Sequence, residues 1–145
     1  MRALIQRVKE ASVLVNDEVV GCIQKGMLVF LGVAETDTGE EIEWLVNKLI
    51  NLRIFEDEEG KMNTSLLDNC YEVLIVSQFT LYGDTKKGTR PSFINAAQPE
   101  KAERLYEEFI AAMRNAGVQV QTGKFQAMMD VKLTNWGPVT LMIER

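Results

Sequence analysis

Apolar positions along the chain change period several times, and each change marks an element. Residues 2–8 alternate as a strand. Residues 12–15 and 18–24 read as two more strands joined at Asn16-Asp17, a pair suited to a tight turn. Gly26 breaks the chain before Met27–Val33, a run apolar enough to be buried on both faces. Ile42, Leu45, Val46, Leu49 and Ile50 then recur at helical spacing, behind Thr36, Asp37 and Thr38 as possible N-caps and an acidic first turn. Leu52–Phe55 reads as a short strand, and Glu56–Asn69 as an acidic, turn-like excursion. Val73-Leu74-Ile75-Val76 is another doubly buried strand. Pro99 opens a second helix with a stripe of Ala102, Leu105, Tyr106, Phe109, Ile110 and Met113, which stops at Gly117. Val118–Thr122 is a strand, and Met129–Thr134 and Val139–Ile143 read as a final pair around a Gly-Pro turn.

This order predicts an α/β chain of the α+β kind. Its mixed, largely antiparallel sheet carries two packed helices. The 145 residues suit a single domain, 1–145, and the 46% hydrophobic content is enough for a core. No run has the length of a membrane-spanning helix, and Met1–Val13 lacks the apolar stretch of a signal peptide, so a cytoplasmic protein with no membrane partner is expected. Cys22 and Cys70 are the only cysteines, and the expectation for both is a small apolar residue, buried or half-buried.

Candidate chemistry is bounded by an absence: the chain has no histidine. That removes His-based general bases, Ser-His-Asp and Cys-His arrangements and the usual zinc sites. No cofactor and no metal is called for. Two polar interruptions in apolar segments draw attention instead. Ser77-Gln78-Phe79-Thr80-Leu81 leaves the buried strand with two hydroxyls and a carboxamide, groups that need partners at a sheet rim. Ser77 and Gln78 read equally as caps for the strand end or as substrate contacts, and Phe79 as a core residue or a base-stacking platform. Asn135-Trp136-Gly137-Pro138-Val139-Thr140 presents a Gly-Pro pair with no side chain at the glycine and no N–H at the proline. The long segment Gly83–Gln98 carries Lys86, Lys87 and Arg90. Against a net charge of −5, these three read as a solvated loop or as a small basic patch for one phosphate end of an RNA.

Taken together, Ser77–Asp84 and Asn135–Thr140 resemble the D-aminoacyl-tRNA deacylase family. So do the opening Met1–Val8, the segment Lys87–Phe93, and Gly123-Lys124-Phe125. The resemblance extends over essentially the whole chain. It implies a compact, barrel-like α/β homodimer with its active sites at the subunit interface. It implies hydrolysis of the ester of D-aminoacyl-tRNA, and of mischarged glycyl-tRNA, with the aminoacyl-tRNA 3′ end as partner. It assigns the reaction centre to Ser77, Gln78, Phe79 and Thr80, and the adenosine pocket to Phe125 and Met129. Gly137-Pro138 would come from the other subunit in the cis form, held by Arg7, whose other reading is a surface arginine. An L side chain would collide with main-chain oxygens there, whereas a D side chain would point away. The substrate's own ribose hydroxyl would activate water, because Thr80 has no base to make it a nucleophile. Two positions depart from the family pattern: Gln126 stands where glycine is usual, and Trp136 where an acidic residue is usual. Two other readings stay open, a non-catalytic dimeric domain that binds aminoacyl-adenosine and an editing domain that acts on an L-aminoacyl-tRNA.

Overall fold

The computed structural model describes residues 1–145. Its centre is a six-stranded sheet in which β1 (Arg2–Val15) is the hub. One edge of β1 pairs antiparallel with β3 (Gly26–Gly32) along residues 2–8 and then with β2 (Glu18–Ile23) along residues 11–15. The other edge pairs with β8 (Asp130–Glu144) over nearly its full length. β3 runs parallel to β6 (Glu72–Ser77), and β6 parallel to β7 (Val120–Thr122). The mixed sheet with few helices is the expected class.

The sheet curls until its two ends meet. A Cβ placed on Gly21 of β2 would lie 2.4 Å from the carbonyl oxygen of Thr122 in β7. Only a residue without a side chain lets those backbones come so close, and the contact nearly closes a barrel. Alternation along the strands then sorts side chains into two cores. Val8, Ala11, Val13, Ile23, Leu28, Leu74 and Val76 fill the barrel. The intervening residues, Ile5, Val29 and Ile75 among them, face outward against α1 (Gly39–Ile50) and α3 (Pro99–Asn115). The periodic residues of α1 are all buried, and Thr38 caps it in a capping box with Glu41. In α3, Tyr106 is buried among apolar side chains and donates its hydroxyl to the Ile75 carbonyl at 2.8 Å. No helix is long and apolar enough to cross a membrane.

Four expectations are corrected. β1 is one strand, not two, because the chain continues through irregularities at Arg7 and Lys9, where the register with β8 shifts. The final pair around Gly-Pro is likewise one strand. β8 runs straight through Gly137-Pro138, and the lost proline donor costs nothing because only one edge of β8 is paired. The segment Glu56–Asn69 is not featureless. β4 (Phe55–Glu56) pairs with β5 (Met62–Thr64), and a single helical turn, α2 (Leu66–Asn69), follows with Ser65 and Asp68 bonded as a capping box. Cys22 and Cys70 are both exposed rather than buried.

Candidate functional site

β6 ends where its neighbours end, and the chain must turn. Gln78 N–H still reaches the Leu31 carbonyl of β3 at 2.8 Å, after which Phe79–Tyr82 winds into a 3₁₀ turn closed by Leu81 N–H to Gln78 O and Gly83 N–H to Thr80 O. The expectation of a strand end that has left its ladder is thus met by a turn. Gln78 supplies no side-chain cap to it. The N–H groups of Phe79 and Thr80 are the first donors of this turn, positions that no carbonyl within a helical turn serves. The Gln78 carboxamide instead bends forward, and its Nε2 donates to Thr80 Oγ1. That contact occupies an oxygen lone pair and leaves the hydroxyl proton to be donated outward. On the other side, Arg2 braces the turn by donating to the Leu81 carbonyl at 2.9 Å with its guanidinium over the Tyr82 ring.

Beside this turn lies a cavity of about 740 Å³, mostly apolar, bounded by Ser77, Gln78, Phe79, Phe93, Phe125 and Met129 among others. The structure therefore brings five of the expected residues to one cavity, with Thr80 tied to it through Gln78. Phe79 is 55% exposed and stacks edge-on against Phe93 at 5.1 Å, so it is a rim residue and not a core one. Phe125 packs on Tyr106, which fixes its ring as a wall. Gln126, flagged from the sequence as a departure from the family pattern beside the adenosine pocket, lines the same cavity, and so do Phe93 and Gln98, which were not singled out as site residues. A periodicity argument does not find the last two, because both lie in segments without a repeating pattern.

Arg7 lies elsewhere, with Gly137 and Pro138. It is 1% exposed, which rejects the surface reading. Its Nε donates to the Trp136 carbonyl at 3.0 Å, Nη1 to the Ile54 carbonyl at 2.7 Å and Nη2 to the Gly137 carbonyl at 3.1 Å, with Glu56 Oε1 3.4 Å away. Asn135 Nδ2 bridges the Arg7 and Val139 carbonyls. The bend is thus held from both sides, and the bond before Pro138 is cis. Gly137 itself lies outside the left-handed region, and a Cβ added there would meet nothing closer than 3.6 Å. Nothing within the chain requires a glycine at this position.

These two groups do not meet within one chain. Gly137-Pro138 lies opposite Arg7, level with Met27 and Val73, whereas Ser77 is level with Leu31 at the other end of the sheet. The four rungs from Val73 to Ser77 alone span ~13 Å. Lys86, Lys87 and Arg90 are exposed on the long segment after the turn. Lys86 borders a second, polar depression with Arg2, Tyr82 and Asp84. No three His, Cys, Asp or Glu side chains converge as metal ligands would.

Burial, together with the negative charge of Asp37, pushes the Tyr82 hydroxyl up to about 12. Burial pushes that of Tyr106 up as well.

The sequence matches the family model described as D-Tyr-tRNA(Tyr) deacylase over residues 4–144. It is 60% identical over 144 residues to a protein of Desulfatibacillum aliphaticivorans named D-aminoacyl-tRNA deacylase, covering 99% of each chain. Among solved structures, one titled c-Myc DNA Unwinding Element Binding Protein superposes with a TM-score of 0.94 at 43% identity, covering 100% of this chain and 99% of that one. Another, titled as a probable eukaryotic D-amino acid tRNA deacylase, gives 0.86 at 23% identity over 98% and 97%, which speaks to the fold alone. A family match that starts in the first strand and ends with the last takes in every strand of the sheet: this chain belongs to the D-Tyr-tRNA(Tyr) deacylase family.

Proposed function

We propose that the chain, acting as one domain over residues 1–145, hydrolyses the ester of D-aminoacyl-tRNA to free D-amino acid and tRNA. The observation that carries this reading is the turn at Thr80. It sets the first N–H groups of a helical turn, those of Phe79 and Thr80, beside a hydroxyl proton at the edge of an apolar cavity. Backbone donors fixed before the reaction are the arrangement that stabilises the oxyanion of acyl transfer. The 3′-terminal adenosine occupies the cavity between Phe125 and Met129, with Ser77 and Gln78 placing the ester carbonyl at the turn. Thr80 bonds to no carboxylate, amine or imidazole, so it acts as a donor rather than a covalent nucleophile. The attacking water is activated by the neighbouring ribose hydroxyl of the substrate. Lys86, Lys87 and Arg90 receive the RNA backbone. The reaction uses no metal and takes place in the cytoplasm.

Chirality is read by the Gly137-Pro138 carbonyls of a second copy. Because the bend and the turn stand at opposite ends of one sheet, a partner must supply the bend. β8 has a free edge and the exposed apolar residues Leu133, Leu141 and Met142 with which to bind that partner. Main-chain oxygens held by Arg7 exclude an L side chain and ignore the identity of a D one, and glycine, with no side chain, passes as well. The decisive experiment charges one tRNA with the D and L forms of one amino acid and follows deacylation of each. Rapid loss of the D ester alone is expected. Loss of the L ester instead would favour an editing domain for L-amino acids. No loss of either would leave a ligand-binding dimer.

A further inference from the structure

Gln126 occupies a backbone conformation that its side chain disfavours. Lys124–Ala127 is a four-residue turn closed by Ala127 N–H to Lys124 O at 3.2 Å, and Gln126, its third residue, has φ +60°. That turn position takes glycine most readily, and asparagine next. Gln126 nevertheless stands there. Its carboxamide is exposed on the wall of the 740 Å³ cavity and makes no hydrogen bond within the chain. Of the four non-glycine residues with positive φ, Asn16 and Asp17 make the β1–β2 turn and Cys70 caps α2, so Gln126 alone lies on a cavity, and ligand clamps are among the places where such strain collects.

The chemistry of the cavity narrows what that partner is. Its walls are largely apolar and aromatic, suited to the faces of a planar base. Its polar side chains are Ser77, Gln78, Gln98 and Gln126; Gln78 is committed to Thr80, Ser77 is a lone hydroxyl, and of the two remaining carboxamides only that of Gln126 stands on a backbone held in the left-handed region. A carboxamide offers one acceptor and one donor side by side, the complement of the N6 amino group and N7 of adenine. We infer that Gln126 is a specificity-determining residue that reads the 6-amino edge of the purine bound in this cavity. The inference rests on the deacylase reading above and adds a recognition contact to it. A glycine at this position would bind the same base through shape alone.

The test uses two non-hydrolysable ligands, a D-aminoacyl amide of 3′-amino-3′-deoxyadenosine and its counterpart lacking the 6-amino group, titrated calorimetrically into the intact protein. The wild type is expected to favour the adenine ligand by ~10-fold or more, as one bidentate base contact provides. Gln126→Gly should bring the two ligands within about twofold of each other by weakening only the adenine one, while its melting temperature rises by ~2–4 °C as the backbone strain is relieved. Gln126→Glu, which keeps the acceptor and loses the donor, should fall between. In deacylation the Gln126→Gly change should appear chiefly in KM. An unchanged ligand ratio in Gln126→Gly, with both ligands still bound, overturns the role of Gln126 and leaves the deacylase reading standing. Failure of the wild type to bind either ligand overturns both.

Discussion

The Arg7 guanidinium lies 4.5 Å above the ring of Trp136 and at the same time donates from Nε to the carbonyl of that residue. One side chain thus grips both the ring and the main chain of the residue that precedes the Gly-Pro bend. Trp136 does not crowd the bend: a Cβ added to Gly137 would meet only Asn135 Oδ1. Trp136 braces the bend, and Lys25 approaches the same ring at 5.5 Å. The guanidinium suits this task because its planar fork serves several carbonyls at fixed angles while its face stacks on an aromatic.

Removing that fork should be costly. Arg7→Ala would leave the carbonyls of Ile54, Trp136 and Gly137 without their donor in a buried position, and a loss of ~3–5 kcal/mol in unfolding free energy is expected from breaking such a group. Arg7→Lys keeps the charge but supplies a point donor instead of a fork, so it should recover only part of the loss. Urea unfolding followed by circular dichroism measures both. A change below about 1 kcal/mol for Arg7→Ala would mean that the bend keeps its shape without Arg7.

Gly137 allows a separation of fold from function. A methyl group there meets only Asn135 Oδ1, at 3.6 Å, and Gly137 does not occupy the left-handed region that would strain an alanine. Gly137→Ala should therefore melt within a few degrees of the parent. Activity on a D-aminoacyl ester should nevertheless fall at least ~10-fold, the result of a misplacement of under 1 Å in a site that works by positioning. If Gly137→Ala retains full activity and full D-over-L discrimination, the bend is not part of the site.

Alkaline pH should reach the Thr80 turn through Tyr82. The folded state holds this phenol protonated up to about 12, above its ordinary value of 10. The neutral form is thus the one that the fold favours. Its contribution to stability is complete below pH 10 and is lost as pH rises from 10 towards 12. A phenolate formed there would have lost the half-buried setting beside Arg2 and Leu81 that holds the turn. Ultraviolet titration of the parent minus that of Tyr82→Phe should show a tyrosinate transition displaced above 10, accompanied by loss of native signal. A difference spectrum titrating at 10 in the intact fold would contradict the assignment.

How far the sequence revealed this arrangement depended on whether each signal was local. The Asn16-Asp17 hairpin was readable because two residues tolerant of positive φ stand together, and they adopt +51° and +64°. Both long helices followed from their spacing. The Gly-Pro pair was misread as a reversal because the same dipeptide serves in a turn or on an unpaired strand edge, and sheet order decides between them. The α2 turn was missed although Ser65 and Asp68 form a short capping box, since four residues give no periodicity. Arg7 was legible only through the family resemblance. Its three carbonyl partners come from residues 54, 136 and 137, a convergence that no window of sequence contains. Ser77–Thr80 was legible because polarity appears abruptly after four apolar residues, but the partnership of Gln78 with Thr80 required the turn.

That partnership yields the sharpest chemical prediction. Thr80 Oγ1 accepts from Gln78 and has no base beside it, so its oxygen is a poor nucleophile and its proton a ready donor. Thr80→Ala should lower kcat by ~10- to 100-fold, somewhat less than the loss of a full oxyanion-hole donor, with KM little changed. Thr80→Ser, which restores the hydroxyl, should recover most of that loss. Replacing the terminal ribose hydroxyl next to the ester by hydrogen should cost more than Thr80→Ala, because under the proposed mechanism that hydroxyl activates the water whereas Thr80 only donates a hydrogen bond. The comparison is made by single-turnover kinetics on a D-aminoacyl-tRNA and its 2′-deoxy counterpart. A rapid burst of free tRNA ahead of free amino acid would reveal an acyl-enzyme and reverse the assignment, making Thr80 the nucleophile after all.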